Sequence, residues 1–165
     1  MIEVRDGTQV TASVRTGRPC RASIGPIELI VGGPPLVSQL GDTKWTGSTT
    51  AESGTFLLRN DDRVARVYPV GDAKTGGIYD LDGIALVRVA VTDNTAVVSD
   101  GTGRKLRSLV RAGTTITADT PPLVITNTSD LVLAALVSAP EVGPELRMLA
   151  ACERVLVTQQ QKPGA

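Results

Sequence analysis

The sequence predicts a mainly β fold in which antiparallel hairpins close into a barrel or sandwich, with one or two α-helices at the C-terminal end. A hairpin pattern recurs, with turn centres at Asp62, Gly83 and Gly103. The residues flanking those turns are rich in β-branched types and roughly alternate in polarity, as half-buried strands do. From about residue 129 the texture changes to Leu, Ala and Val runs at helical spacing.

In chain order, Val4–Val14 is the first hairpin, turning at Asp6-Gly7, a pair that tolerates positive φ. Val10, Ala12 and Val14 fall on one face and Thr11 and Ser13 on the other. Cys20–Ile24 and Ile27–Val31 read as strands split by Gly25-Pro26. Thr43–Thr46 and Gly54–Leu57 read as shorter strands, with Gly32–Pro35 and Gly47–Thr50 as irregular connections. Three hairpins follow at Leu57–Val67, Ile78–Val89 and Val98–Leu109. Ile84–Val91 is apolar except for Arg88, which suggests a strand covered on both sides. Thr114–Thr117 and Leu123–Thr126 continue the strands across Pro121-Pro122. Closure is expected because a long open sheet would leave unpaired edges.

Ser129-Asp130 supplies a helix cap for Leu131–Val137, a segment apolar on all sides. A core strand is the competing reading of that segment. Pro144 suits a first helical turn, and Met148, Leu149, Cys152, Val155 and Leu156 then form one apolar stripe, with Glu145, Arg147 and Arg154 off it. Residues 1–158 are expected to form one domain, with its helical segment at about 129–157, and 159–165 a disordered tail.

Composition removes many functions. The chain has no histidine, hence no Ser-His-Asp or Cys-His arrangement and no histidine-based metal site. Seventeen basic residues balance seventeen acidic ones, which argues against a general nucleic-acid binder. Aromatic residues are only 2%, so the core must be aliphatic. Cys20 and Cys152 are expected to be reduced thiols, with Cys152 packed in its helix stripe. The chain shows neither an apolar leader nor a run of the roughly 20 apolar residues that crosses a bilayer, so a cytoplasmic protein is expected, with a virion or other particle component as the alternative.

Three motifs bear on chemistry. Asp80-Leu81-Asp82-Gly83 begins like a calcium loop, but Ile84 follows and no suitable glutamate does, so a hairpin turn is expected. Gly71–Gly77 lacks the spacing of a phosphate loop and reads as a connection between hairpins. Arg66, Arg88 and Arg107 each lie four or five residues after a turn. Aligned side by side they would form a row of guanidinium groups for an anion or a carboxylate-rich partner. The alternative is three separate arginines paired with Asp61, Asp62, Asp82 and Asp100.

The hairpins centred on Asp61-Asp62 and Asp80–Gly83 resemble strand pairs of the tubby C-terminal-like superfamily, which includes LURP-one and scramblase-related proteins. The resemblance covers about Phe56 to Val137. It implies a closed barrel around a hydrophobic C-terminal helix, here Leu131–Val137, and binding to phosphoinositide or other membrane lipid. The balanced charge does not suit that lipid role. Gly113–Pro122 with Asn127–Asp130 is similar to the second motif of cupin-like jelly rolls. The metal-binding histidines of that family are missing, which implies a non-catalytic member.

The expected function is a non-enzymatic structural or protein-interaction module within a larger assembly, with no cofactor, no metal and no nucleic-acid partner. One alternative is a lipid- or anion-binding module using the arginine row. Another is an enzyme acting on a small molecule through Asp with Lys or Arg.

Overall fold

Every strand is hydrogen-bonded to its neighbour in sequence, and the first closes on the last. This is seen in a computed structural model that describes residues 1–50, 52 and 54–161, the last two by backbone alone. Among the described residues the strands are β1 (Ile2–Asp6), β2 (Gln9–Arg15), β3 (Cys20–Ile24), β4 (Ile27–Gly32), β5 (Val37–Leu40), β6 (Thr43–Thr50), β7 (Gly54–Arg59), β8 (Asp62–Val67), β9 (Thr75–Tyr79), β10 (Ala85–Thr92), β11 (Thr95–Ser99), β12 (Lys105–Ala112), β13 (Thr115–Asp119) and β14 (Pro122–Thr126). Two helices follow, α1 (Leu131–Val137) and α2 (Pro144–Gln161). The result is a closed, all-antiparallel, fourteen-stranded barrel. Its up-and-down order differs from the Greek-key order of a jelly roll.

Alternate turns lie at opposite rims. We term upper the rim that carries Gly7, Asn60-Asp61, Gly83 and Gly103. The turns at Gly83 and Gly103 are built alike. Asp80 Oδ1 accepts from the N–H groups of Asp82 and Ile84. Asp100 Oδ1 accepts from those of Thr102 and Arg104. Each aspartate carbonyl accepts from the glycine N–H three residues on. The sequence that begins like a calcium loop is therefore the expected hairpin turn, its carboxylate serving its own backbone. All four register shifts in the ladders, at Val4/Arg5, Leu57/Leu58, Ala85/Val87 and Val98/Ser99, fall near this rim. Bulges there add twist and re-aim side chains.

The barrel interior is filled by the chain itself. Side chains alone fill a barrel of about eight strands; fourteen leave room for helices about 10–12 Å across. Inward positions of the wall are mostly Val, Ala, Leu and Ile. All seven residues of α1 are buried, and so are nine consecutive residues of α2, Met148–Leu156. A helix buried on every side lies within the wall. α1 packs on β9–β12, α2 on β2–β4, and the two on each other. Asp130 caps α1 by accepting from Val132 and Leu133 N–H.

Several local expectations change. Gly47–Thr50 is not an irregular connection but half of β6, paired residue by residue with Gly54–Leu57. Its Ser and Thr residues hide the strand because they lack apolar alternation. Gly47 is needed there, since a Cβ would stand 2.9 Å from Leu36 Cβ. β5 and the Asp93-Asn94 turn between β10 and β11 were not signalled. The amphipathic stripe of α2 is replaced by burial on all sides, which brings Glu153 and Arg154 inside. α2 also continues through Gln161, and Lys162–Ala165 of the expected tail lie outside the described residues.

Candidate binding site on the barrel wall

Each of the four aromatic residues has an arginine over its ring. Arg59 lies 5.9 Å from the Trp45 centroid and Arg63 lies 4.2 Å from that of Phe56. Arg66 lies 5.3 Å from both Tyr68 and Tyr79. All three arginines belong to the β7–β8 hairpin. The ladders set Phe56, Arg66 and Tyr79 beside one another on β7, β8 and β9. Their neighbours in sequence, Leu57, Ala65 and Ile78, are buried toward the lumen, so this row faces out.

Arg88 joins the row from β10. It pairs with Gly77 and is exposed between the inward-facing Val87 and Val89. Arg66 and Arg88 therefore flank β9 on one face. Arg107 does not share it. On β12 it pairs with Val98, a lumen residue, and is itself buried. It donates to the Thr120 carbonyl and to Glu141 in the α1–α2 connection. The structure thus brings together two of the three candidate arginines and turns the third inward to a structural ion pair. The bulge at Val98/Ser99 lies beside it, a feature that equal spacing from a turn does not reveal.

A cleft of about 420 Å³ opens where the row meets the β8–β9 connection. Tyr68, Asp72, Thr75, Tyr79 and Arg88 line it, together with Gly76 and Ala90. It coincides with a thin seam: β8 and β9 share only the pairs Arg66–Tyr79 and Val67–Ile78. Gly77 lets the Tyr79 ring lie flat on the sheet, since a Cβ there would stand 2.9 Å from Tyr79 Cε2. Asp72 holds the connection by accepting from Lys74 and Thr75 N–H. These bonds, the Lys74 one foremost, hold its carboxyl below the usual range. Arg66 Nε is buried and has no hydrogen-bond partner among the described residues.

No family model matches the chain, and neither does any curated protein or solved structure.

The charged groups inside the barrel have structural work. Arg154 of α2 donates to both oxygens of Asp130, at 2.7 and 3.0 Å, and to the Asp72 carbonyl at 2.8 Å. Glu153 accepts from Thr55 Oγ1 at 2.7 Å, and burial pushes its carboxyl up. Arg147 donates to the Val137 carbonyl at the end of α1, and burial lowers its affinity for its proton. Among the described residues no group of three or more His, Cys, Asp or Glu side chains is gathered, and no helix is long and apolar enough to cross a membrane.

Sequence reasoning singled out Arg66 and Arg88 but passed over Tyr68, Tyr79, Phe56 and Arg63. A signal for one of them was present: Arg66 and Tyr68 are two residues apart, which places both on one face of an extended chain.

Proposed function

We propose that the protein is a non-enzymatic interaction module, one component of a larger assembly, that binds a carboxylate-bearing segment of a protein partner on its β8–β10 wall. The convergence of Arg88, Tyr68 and Tyr79 at one cleft, with Arg66 stacked over both tyrosine rings beside it, carries this reading. Tyrosine and arginine dominate the residues on which protein interfaces depend, because each offers a large contact area with a polar tip. Guanidinium groups match carboxylates in geometry and charge. The interior, where many barrels hold a small ligand, is occupied here by α1 and α2, which supports recognition on the outer surface.

The test is a binding titration with a fluorescent oligo-glutamate peptide at low and moderate ionic strength. Wild-type protein should bind at low salt and weaken as salt screens the charges. Arg66→Ala combined with Arg88→Ala should weaken binding at least ~10-fold, whereas Arg21→Ala, elsewhere on the outer wall, should leave it unchanged. Absence of low-salt binding, or equal binding by the double variant, would overturn the reading. The Arg66 and Arg88 guanidinium groups on one face also suit an anionic head group. Retention on phosphatidylserine vesicles without peptide binding would move the assignment to that lipid alternative.

A further inference from the structure

The chain has only two cysteines, and the fold puts them together. Cys20 opens β3 and pairs with Val31, and both side chains are buried on the lumen side. Cys152 lies in the fully buried stretch of α2, the helix that packs on β2, β3 and β4. Height along the barrel agrees as well. Glu153 meets Thr55 near the lower start of β7, and Arg154 meets Asp130 at the lower rim. Cys20 sits at the lower start of β3, at the same level as Cys152. The neighbouring Cys20, and then burial, raise the Cys152 thiol above its ordinary value. A buried side chain touches only about 6–12 others, so two cysteines 132 positions apart would seldom meet without a constraint on both.

We propose that Cys20 and Cys152 are a disulfide site that staples α2 to the barrel wall when the protein folds in an oxidising compartment. The oxidant is a small-molecule disulfide such as oxidised glutathione. One cysteine thiolate attacks it and forms a mixed disulfide, releasing one glutathione thiolate. The second cysteine thiolate attacks the protein-side sulfur and releases the other. The protein loses two protons and two electrons, and one disulfide is reduced to two thiols. Once α2 is seated, contact with Cys20 and burial both keep the Cys152 thiol protonated. Exchange needs a thiolate that the oxidant can reach; both thiols are 0% exposed, so the pair is unreactive in the folded protein and its state is set during folding.

The experiment is to refold reduced, denatured protein in a reduced/oxidised glutathione buffer, block free thiols with iodoacetamide, and map tryptic peptides. Refolded protein should be two hydrogens lighter than the dithiol form, with Thr16–Arg21 cross-linked to Met148–Arg154. Its melting midpoint should rise by about 10 °C over protein refolded with reductant, and Cys152→Ala should abolish that difference. Folded dithiol protein placed in the same buffer should stay reduced for hours. Both thiols alkylated after oxidative refolding, or cross-links only between molecules, would overturn the proposal. The same peptide map on protein exported to a bacterial periplasm decides the matter where refolding fails.

Discussion

Arg154 holds both carboxylate oxygens of Asp130, and the same carboxylate caps α1. One ion pair thus locks the lower end of α1 to the middle of α2, and the third arm of Arg154 ties them to the β8–β9 connection through the Asp72 carbonyl. Asp130→Ala removes a cap and leaves a guanidinium that is only 7% exposed without its counter-ion. A destabilisation of about 2–3 kcal/mol is expected, since Asp130 is itself partly exposed. Urea unfolding followed by Trp45 emission measures it, because Trp45 is the sole tryptophan and lines a cleft with Gly143 and Pro144 at the start of α2. A double-mutant cycle with Arg154→Ala should show strong coupling; simple additivity would mean the pair is not an energetic unit.

Gly76 sets how closely α1 approaches the wall. A Cβ at this position would stand 2.5 Å from Val132 Cγ1. Gly76→Ala should therefore cost about 1–3 kcal/mol by overpacking. Val132→Ala in the same chain removes the clashing methyl groups and should recover part of that loss. If the double variant is less stable than the sum of the two singles, α1 does not bear on Gly76 as described.

Glu153 makes stability depend on pH in an unusual direction. Burial raises its folded affinity for a proton above the ordinary value of 4.5, so the folded state binds the proton more tightly than the unfolded one. That contribution is fully present below pH 4.5 and is lost as pH rises through the folded value. Glu153→Gln keeps an oxygen acceptor for Thr55 and removes the charge. It should melt higher than wild type at neutral and alkaline pH, with the gap closing on acidification. A constant gap across pH would contradict this origin.

Asp100 acts in the opposite sense. Its hydrogen bond from the Thr102 hydroxyl, with those from the Thr102 and Arg104 N–H groups, lowers its carboxyl below the ordinary 3.8. Its contribution is present above that value and disappears as pH falls through the folded one. Asp100→Ala should thus make the acid limb of a melting-temperature profile shallower, leaving the like contributions of Asp72 and Asp119. An acid limb identical to that of wild type would show that the ionised Asp100 carboxylate contributes nothing to folding.

The hairpins with Asp-Gly turns, the aliphatic core and the closed antiparallel wall were legible because each rests on local chemistry. Gly83 and Gly103 mark their turns, and Val10, Ala12 and Val14 mark a face. Gly47–Thr50 was illegible because a strand of Gly, Ser and Thr takes its place from partners across the ladder. Arg154 fell off the apolar stripe because helical periodicity describes one helix on one wall, whereas Met148–Leu156 of α2 is buried on every side, Glu153 included. The binding cleft was half legible. Arg66 and Arg88 could be picked by spacing, but the exclusion of Arg107 depends on which face β12 turns inward, and the role of Tyr79 depends on the pairing of β8 with β9.

The lumen filling has a consequence for how the protein is made. All fourteen strands precede α1 and α2 in the chain. A ribosome therefore delivers the whole wall before anything that can occupy its inner surface. Until residues 131–156 emerge, the Val, Leu and Ile side chains of that surface have no helix to meet, and β1 must wait for β14 across more than a hundred residues to find its second neighbour. Such long-range closure is slow, and an incomplete chain exposes apolar strands and open edges that invite association. A helix made after every strand of the wall thus decides whether the inner faces of β2, β3 and β4 are buried.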